Sequence, residues 1–171
     1  MLPFARPAPE TAMIRILALL FAALLTCTGA QATPPADAPA DTPAAYDAEL
    51  AQSLGADEYG MRAYVLVILR SGPTPLPVGL ERDAMFHGHF ANMKRLAGEG
   101  KLVLAGPLDG EQGRRGLFVL ALDDLDEARR IVATDPVIAR GEMVADYHRY
   151  YGSAALMLVN DWHEKLARKS P

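Results

Sequence analysis

The residues whose types can move a proton without help from a cofactor are two histidines, His87 and His89, and an acid at a chain break, Asp135-Pro136. A neutral imidazole accepts a proton near physiological pH, provided a carboxylate fixes its tautomer and steadies the imidazolium that forms. Spacing separates the two rings. At about 100° per residue, Met85, Phe86, Phe90, Met93, Leu96 and Ala97 form one apolar stripe with His89 at its middle, whereas His87 lies about 160° away beside Lys94. His89 is therefore the inward histidine. Two ligands two residues apart on a helix diverge, and no His-Glu-x-x-His spacing occurs, so the pair suggests no metal site. Both members of the candidate dyad also have ordinary roles. A core histidine is satisfied by any carbonyl or carboxylate, and Asp135 before Pro136 suits the N-cap of a turn over Val137 to Arg140.

Other groups are candidates for holding a small molecule. Gly106 and Pro107 read as a turn closing a strand just beyond the histidine helix, where glycine lets backbone approach a ligand. The loop Asp109 to Arg115 offers Arg114 or Arg115 to an anion, and Tyr147 or Tyr150 can line a pocket. Solvation, tight turning and packing are their default uses.

These residues are positioned by a readable order of elements. Arg62 to Arg70 has the composition of a strand buried on both faces, and the proline-rich Ser71 to Pro77 ends it. The helix carrying His89 covers Glu81 to Glu99, followed by strands at Lys101 to Ala105 and Gly116 to Leu122. Asp123-Asp124 caps a helix over Leu125 to Ala133, with acids at its start and Arg129-Arg130 near its end, as the helix dipole favours. Met143 to Tyr151 is the last strand, with Met143, Ala145 and Tyr147 on one side and Val144, Asp146, His148 and Tyr150 on the other. The class is α+β with the order β-α-β-β-α-β, a ferredoxin-like arrangement with both helices on one sheet face. A second copy is the economical cover for the other face, giving a dimeric α/β-barrel. Residues 61–152 form that domain, and an amphipathic tail helix over Ser153 to Lys169 is placed to clasp the partner.

Residues 1–32 read as an export signal, with translation from Met13 suiting the pattern. Arg15 precedes the apolar run Ile16 to Leu25, and Ala30-Gln31-Ala32 offers a cleavage site. The run is too short to span a bilayer, so periplasmic or secreted release near Ala32 is the expectation, with no membrane span in the mature chain. Cys27 after Leu24-Leu25-Thr26 leaves a lipid-anchored form open, against which stands the threonine. Cleavage leaves 139 residues without cysteine, which excludes disulfides, thiolate nucleophiles and iron–sulfur clusters. Residues 33–60 begin with a Pro/Ala/Asp/Thr spacer that has too little apolar surface to fold, and end in a weakly helical edge segment from Tyr46 to Tyr59. The mature balance of 15 Lys and Arg against 20 Asp and Glu, with basic residues scattered, argues against nucleic acid or an anionic membrane as partner.

Tyr64-Val65-Leu66-Val67, His89-Phe90, Gly100-Lys101-Leu102-Val103-Leu104-Ala105-Gly106-Pro107, Asp135-Pro136 and Gly141, in this order and spacing, resemble the YciI-like (YCII-related) domain family over Met61 to Tyr151. The resemblance implies a dimeric barrel with an active dyad at His89 and Asp135 and no cofactor. Some relatives are associated with elimination chemistry on chlorinated aromatic compounds. The export signal and the tail beyond Tyr151 depart from the minimal family pattern and leave the substrate open. Two functions compete. One is a cofactor-free lyase or hydrolase-like enzyme with His89 as base, Asp135 orienting it and backbone near Gly106 steadying negative charge. The other is a dimeric module holding a small ligand, with His89 a core residue. A haem-binding barrel is a third and weaker reading.

Overall fold

A computed structural model describes residues 45–169 of the chain. The segment read as an export signal, Cys27 and most of the spacer lie outside the described residues. A short helix α1 (Ala48–Ser53), capped by the Asp47 carboxylate on the Leu50 amide, precedes the domain. Then follow β1 (Met61–Ser71), α2 (Leu80–Gly98), β2 (Leu102–Pro107), β3 (Arg114–Leu120), α3 (Leu125–Val132), α4 (Pro136–Ala139), β4 (Met143–Ser153) and α5 (Val159–Leu166). Among the described residues, no helix is long and apolar enough to cross a membrane.

The four strands form one antiparallel sheet in the order β2-β3-β1-β4. The β-branched and large apolar residues of β1 place it at the centre, with Val65, Val67 and Leu69 buried on the helix side and Leu66 and Ile68 half-buried on the other. Val65, Val67 and Leu69 join Phe118 and Leu120 of β3 beneath Met85, Leu96, Ala128, Val132 and Val137 of the helices. Met143 is buried with them, and Ala145 and Tyr147 pack at the margin of the same core. The helix layer therefore lies on one face. The α3 cap is as the sequence predicts, with the Asp124 carboxylate accepting from the amides of Asp126 and Glu127.

Three boundaries differ from expectation. Gly106 and Pro107 are strand residues, paired with Leu117 and Gly116, because β2 is an edge strand and its proline removes no ladder hydrogen bond the sheet needs. The third strand starts earlier, at Arg114, since the turn before it is a tight 3₁₀ turn over Glu111–Gly113. The tail is not one helix from Ser153. β4 runs on to Ser153, whose hydroxyl caps a 3₁₀ turn over Ala154–Leu158 before α5 begins.

That turn bears on how the second sheet face is covered. Leu156 and Met157 pack against Tyr64, Val103 and Val119, and Asn160 Nδ2 donates to the Leu102 carbonyl at 2.8 Å. Part of the face assigned in the sequence to a second copy is thus covered by the chain's own tail. The reason is local: Leu156 and Met157 are apolar and follow β4 directly, so the nearest surface that removes them from water is the sheet they have just left.

Candidate functional site

Three elements converge on His89. Helix α2 carries it inward, β3 supplies Phe118 beneath it, and the junction between α3 and α4 brings Asp135 alongside. Asp135 has no exposed surface and His89 retains 7%. The Nδ1 atom of His89 stands 2.9 Å from Oδ1 and 2.8 Å from Oδ2 of Asp135, so one N–H straddles both carboxylate oxygens. An ionised carboxylate only accepts, so Nδ1 carries the proton, and in the neutral ring Nε2 holds the lone pair. The imidazole stacks on Phe118 with ring centroids 6.0 Å apart, and Phe86 and Phe90 meet it from one turn before and one residue after.

Nε2 has no hydrogen-bond partner among the described residues. The ring as a whole is buried but keeps a small exposed fraction. The ring thus has one nitrogen committed to an acid and the other without a partner among the described residues. That is the arrangement a general base requires.

Asp135 is also the N-cap of α4. Its Oδ1 accepts from the Val137 amide at 3.1 Å while Pro136 occupies the first helical position, where a missing N–H costs nothing. The ordinary role and the candidate role coincide: capping locks the carboxylate in the orientation His89 meets. Gly88 contributes by lacking a side chain, since a Cβ there would stand 3.0 Å from Cγ of Pro136. This is the close approach that lets α2 lie against α4.

Two further residues escaped the sequence reading. Asn92, one turn beyond His89 on the same face of α2, donates from Nδ2 to Asp135 Oδ2 at 3.1 Å, and its own carbonyl oxygen accepts from Arg95 Nη2 at 2.7 Å. The spacing from His89 was a usable signal for it. Glu142 carried no such signal. It is 2% exposed, and it accepts from the Leu76 amide and from Arg82 Nη2, each at 2.8 Å, with Arg115 Nη1 at 4.0 Å. Burial pushes the Glu142 carboxyl up, but the Leu76 amide and Arg82 outweigh it and hold it below the ordinary glutamate value. Arg82 in turn lies over the Phe86 ring, 4.7 Å from its centroid.

The remaining candidates are placed elsewhere. Gly106 is one step along β2 from Ala105, the partner of Phe118, with nothing near the position a Cβ would take. Arg114 is exposed and opposite Arg70 on β1. Tyr147 lies on β4, two strands from Phe118, under the Arg129 guanidinium, and burial raises its phenol above the ordinary value. Tyr150 packs against Tyr64 on the opposite face. His87 is exposed. Among the described residues no three His, Cys, Asp or Glu side chains gather to hold a metal ion. A groove of ≈ 480 Å³ opens between Asp57, Arg62, Leu122, Asp123 and Tyr151, and one of ≈ 410 Å³ runs along Leu158, Trp162 and Leu166. Neither is lined by His89 or Asp135.

The family model described as the YCII-related domain matches residues 63–148, from within β1 to within β4, and so includes α2, β3, α3 and α4, which build this site. Among solved structures, the chain is similar to 5-chloro-2-hydroxyhydroquinone dehydrochlorinase from Burkholderia phenoliruptrix AC1100 in complex with 2,5-dihydroxybenzoquinone. Identity is 20%, the TM-score is 0.37, and the match covers 50% of this chain and 92% of that one. Among curated proteins none matches.

Proposed function

The chain belongs to the YCII-related domain family, and on that footing we propose that it is a cofactor-free enzyme in which His89 removes a proton from a small organic molecule. One observation carries the reading: Nδ1 is held by Asp135 while Nε2 has no hydrogen-bond partner among the described residues. Nε2 takes the proton, and the Asp135 carboxylate, fixed by its cap on α4, stabilises the imidazolium. A substrate that carries a leaving group next to the ionised position then eliminates it. The electron pair of the broken C–H or O–H bond becomes a new π bond, the leaving group departs with its own pair, and water takes the proton back from His89. Elimination is the class of reaction the family resemblance suggests. The dyad supplies on the order of 10²–10⁴ in rate, the usual range for a positioned base.

Three further elements belong to this proposal. The strand order and single helix layer are read as ferredoxin-like. Leu66, Leu104, Leu117 and Tyr150, on the sheet face away from the helices, stay partly or largely open and suit a second copy as partner. The apolar run at residues 16–25 directs the protein to export, so the substrate is met outside the cytoplasm.

Replacing His89 with Asn tests the base. Screened against small molecules that pair an acidic C–H or O–H with a leaving group, the parent chain turns over a member of the panel. The variant binds that member with unchanged affinity and turns it over at least about 100-fold more slowly. Equal turnover by H89N overturns the reading. A binding module remains the second reading, favoured by the deep burial of His89 and its stacking on Phe118. It gains if the variant loses stability and neither chain turns over any member of the panel.

A further inference from the structure

The carboxylate of Asp135 is held from two sides. Val137 N–H fixes Oδ1 and Asn92 Nδ2 fixes Oδ2, so rotation about the Cβ–Cγ bond is blocked at both ends and the two oxygens straddle Nδ1 of His89. An amide side chain serves here only if its nitrogen, and not its oxygen, faces the acid. Arg95 decides that. Its Nη2 donates to Asn92 Oδ1 at 2.7 Å, while its Nη1 is anchored on Glu99 at 2.6 Å, which is itself 3.3 Å from Lys101 Nζ. Flipping the Asn92 amide would set N–H groups against the guanidinium and oxygen against the carboxylate, two repulsive contacts at once. His89, Asn92, Arg95 and Glu99 are spaced by three, three and four residues, so one face of α2 carries the base, the clamp on its acid and the group that orients the clamp.

We propose that Asn92 is a positioning residue for the His89–Asp135 dyad and that Arg95, through the Asn92 carboxamide, sets the orientation of the acid. The inference rests on the reading of His89 as a base but makes a separate claim about how the dyad is held. Loss of Asn92 leaves Oδ2 with one donor fewer and frees the carboxylate to turn, which weakens the bond to Nδ1. Arg95 touches neither dyad residue, and half of its side chain is exposed, so its removal is structurally mild.

The test uses the full chain with ¹⁵N-labelled histidine, its four imidazoles sorted by the spectrum of the His89→Asn variant. In the parent, His89 shows a protonated Nδ1 held by Asp135. Asn92→Leu moves the Nδ1 proton upfield and speeds its exchange with solvent about tenfold, the factor that one net hydrogen bond is worth. Arg95→Ala shifts both readouts in the same direction by less. Backbone amides of the core, such as that of Val67, keep their exchange rates in both variants, which separates positioning from general loosening. Unchanged Nδ1 signals in Arg95→Ala and Asn92→Leu overturn the proposal, as does an effect that the core amides share. If Asn92→Leu does not fold, Arg95→Ala decides alone. An active His89→Asn chain would sink the base reading without altering these signals, so the two failures are distinguishable.

Discussion

Asp135→Asn is the most informative single change, because the hydrogen bonds around this carboxylate cannot all be kept by an amide. In the parent, Oδ1 accepts from Val137 N–H and Oδ2 accepts from Asn92 Nδ2, with His89 Nδ1 donating between them. The new amide keeps the cap only by leaving its oxygen on Val137, which puts its NH₂ where Oδ2 stood, facing both His89 Nδ1 and Asn92 Nδ2. His89 adapts by moving its proton to Nε2. Asn92 is prevented from turning by Arg95. One buried donor is left opposing another, at about 1–3 kcal/mol, which lowers the melting temperature by roughly 3–10 °C for a domain of this size. Asp135→Ala costs more, about 3–5 kcal/mol, because the cap is lost and the groups that faced the carboxylate are stranded together. Activity has the opposite ranking of interest. The proton on Nε2 occupies the lone pair the reaction needs, and the same swap beside a serine-protease histidine slows turnover about 10⁴-fold. Thermal denaturation, histidine ¹⁵N spectra and turnover of a screened substrate measure the three consequences. The reasoning fails if Asp135→Asn retains full turnover, if its His89 keeps the proton on Nδ1, or if it melts below Asp135→Ala.

Two other changes follow from the same geometry. The folded-state carboxyl of Glu142 is held below its ordinary value, so its contribution to stability is complete above about pH 4.5 and disappears as pH falls through the lower folded value. Glu142→Gln therefore melts about 1–3 kcal/mol below the parent at pH 7, and the gap between the two melting curves narrows on acidification; a constant gap down to about pH 3 contradicts the assignment. Gly88→Ala drives a methyl group against Pro136, and the strain, up to about 3 kcal/mol where the proline ring is held by α4, outweighs the gain of about 1 kcal/mol in helix propensity. Calorimetry should show a net loss together with an altered His89 Nδ1 proton signal; a stabilised variant would mean α2 and α4 separate freely.

Periodicity makes much of the frame legible in the sequence. The apolar stripe of α2 separated His89 from His87, and alternation along β4 separated Met143, Ala145 and Tyr147 from their neighbours, because both signals are properties of a single element. What failed depended on relations between elements. Gly106-Pro107 looked like a turn because glycine and proline are turn residues on average, and only its place at the sheet edge makes the pair acceptable in a strand. The tail after Tyr151 has helical spacing throughout, yet its first residues extend β4 and then tighten into a 3₁₀ turn, since their apolar side chains find the sheet before a helix can form.

The site divides along the same line. His89 and Asp135 are far apart in the chain, and no local rule joins them; their pairing came from the topology, in which two helices lie side by side over one sheet face, and from the family resemblance. Asn92 was within reach of a local rule, being three residues from His89 on the same helix face, but an asparagine there is an unremarkable surface residue until the acid it serves is known. Glu142 was beyond reach, because a glutamate that opens a strand after Gly141 gives no hint that Leu76, Arg82 and Arg115 converge on it. The difference is one of dependence: a residue that faces the core by its own periodicity announces itself, while one that matters through a partner is visible only when the partner is. Asp135 belongs to both groups, as a cap legible from Asp-Pro and a candidate dyad member legible only through the topology and the family resemblance. That double duty makes its substitutions the sharper test of the proposed chemistry, since cap and tautomer respond to them separately.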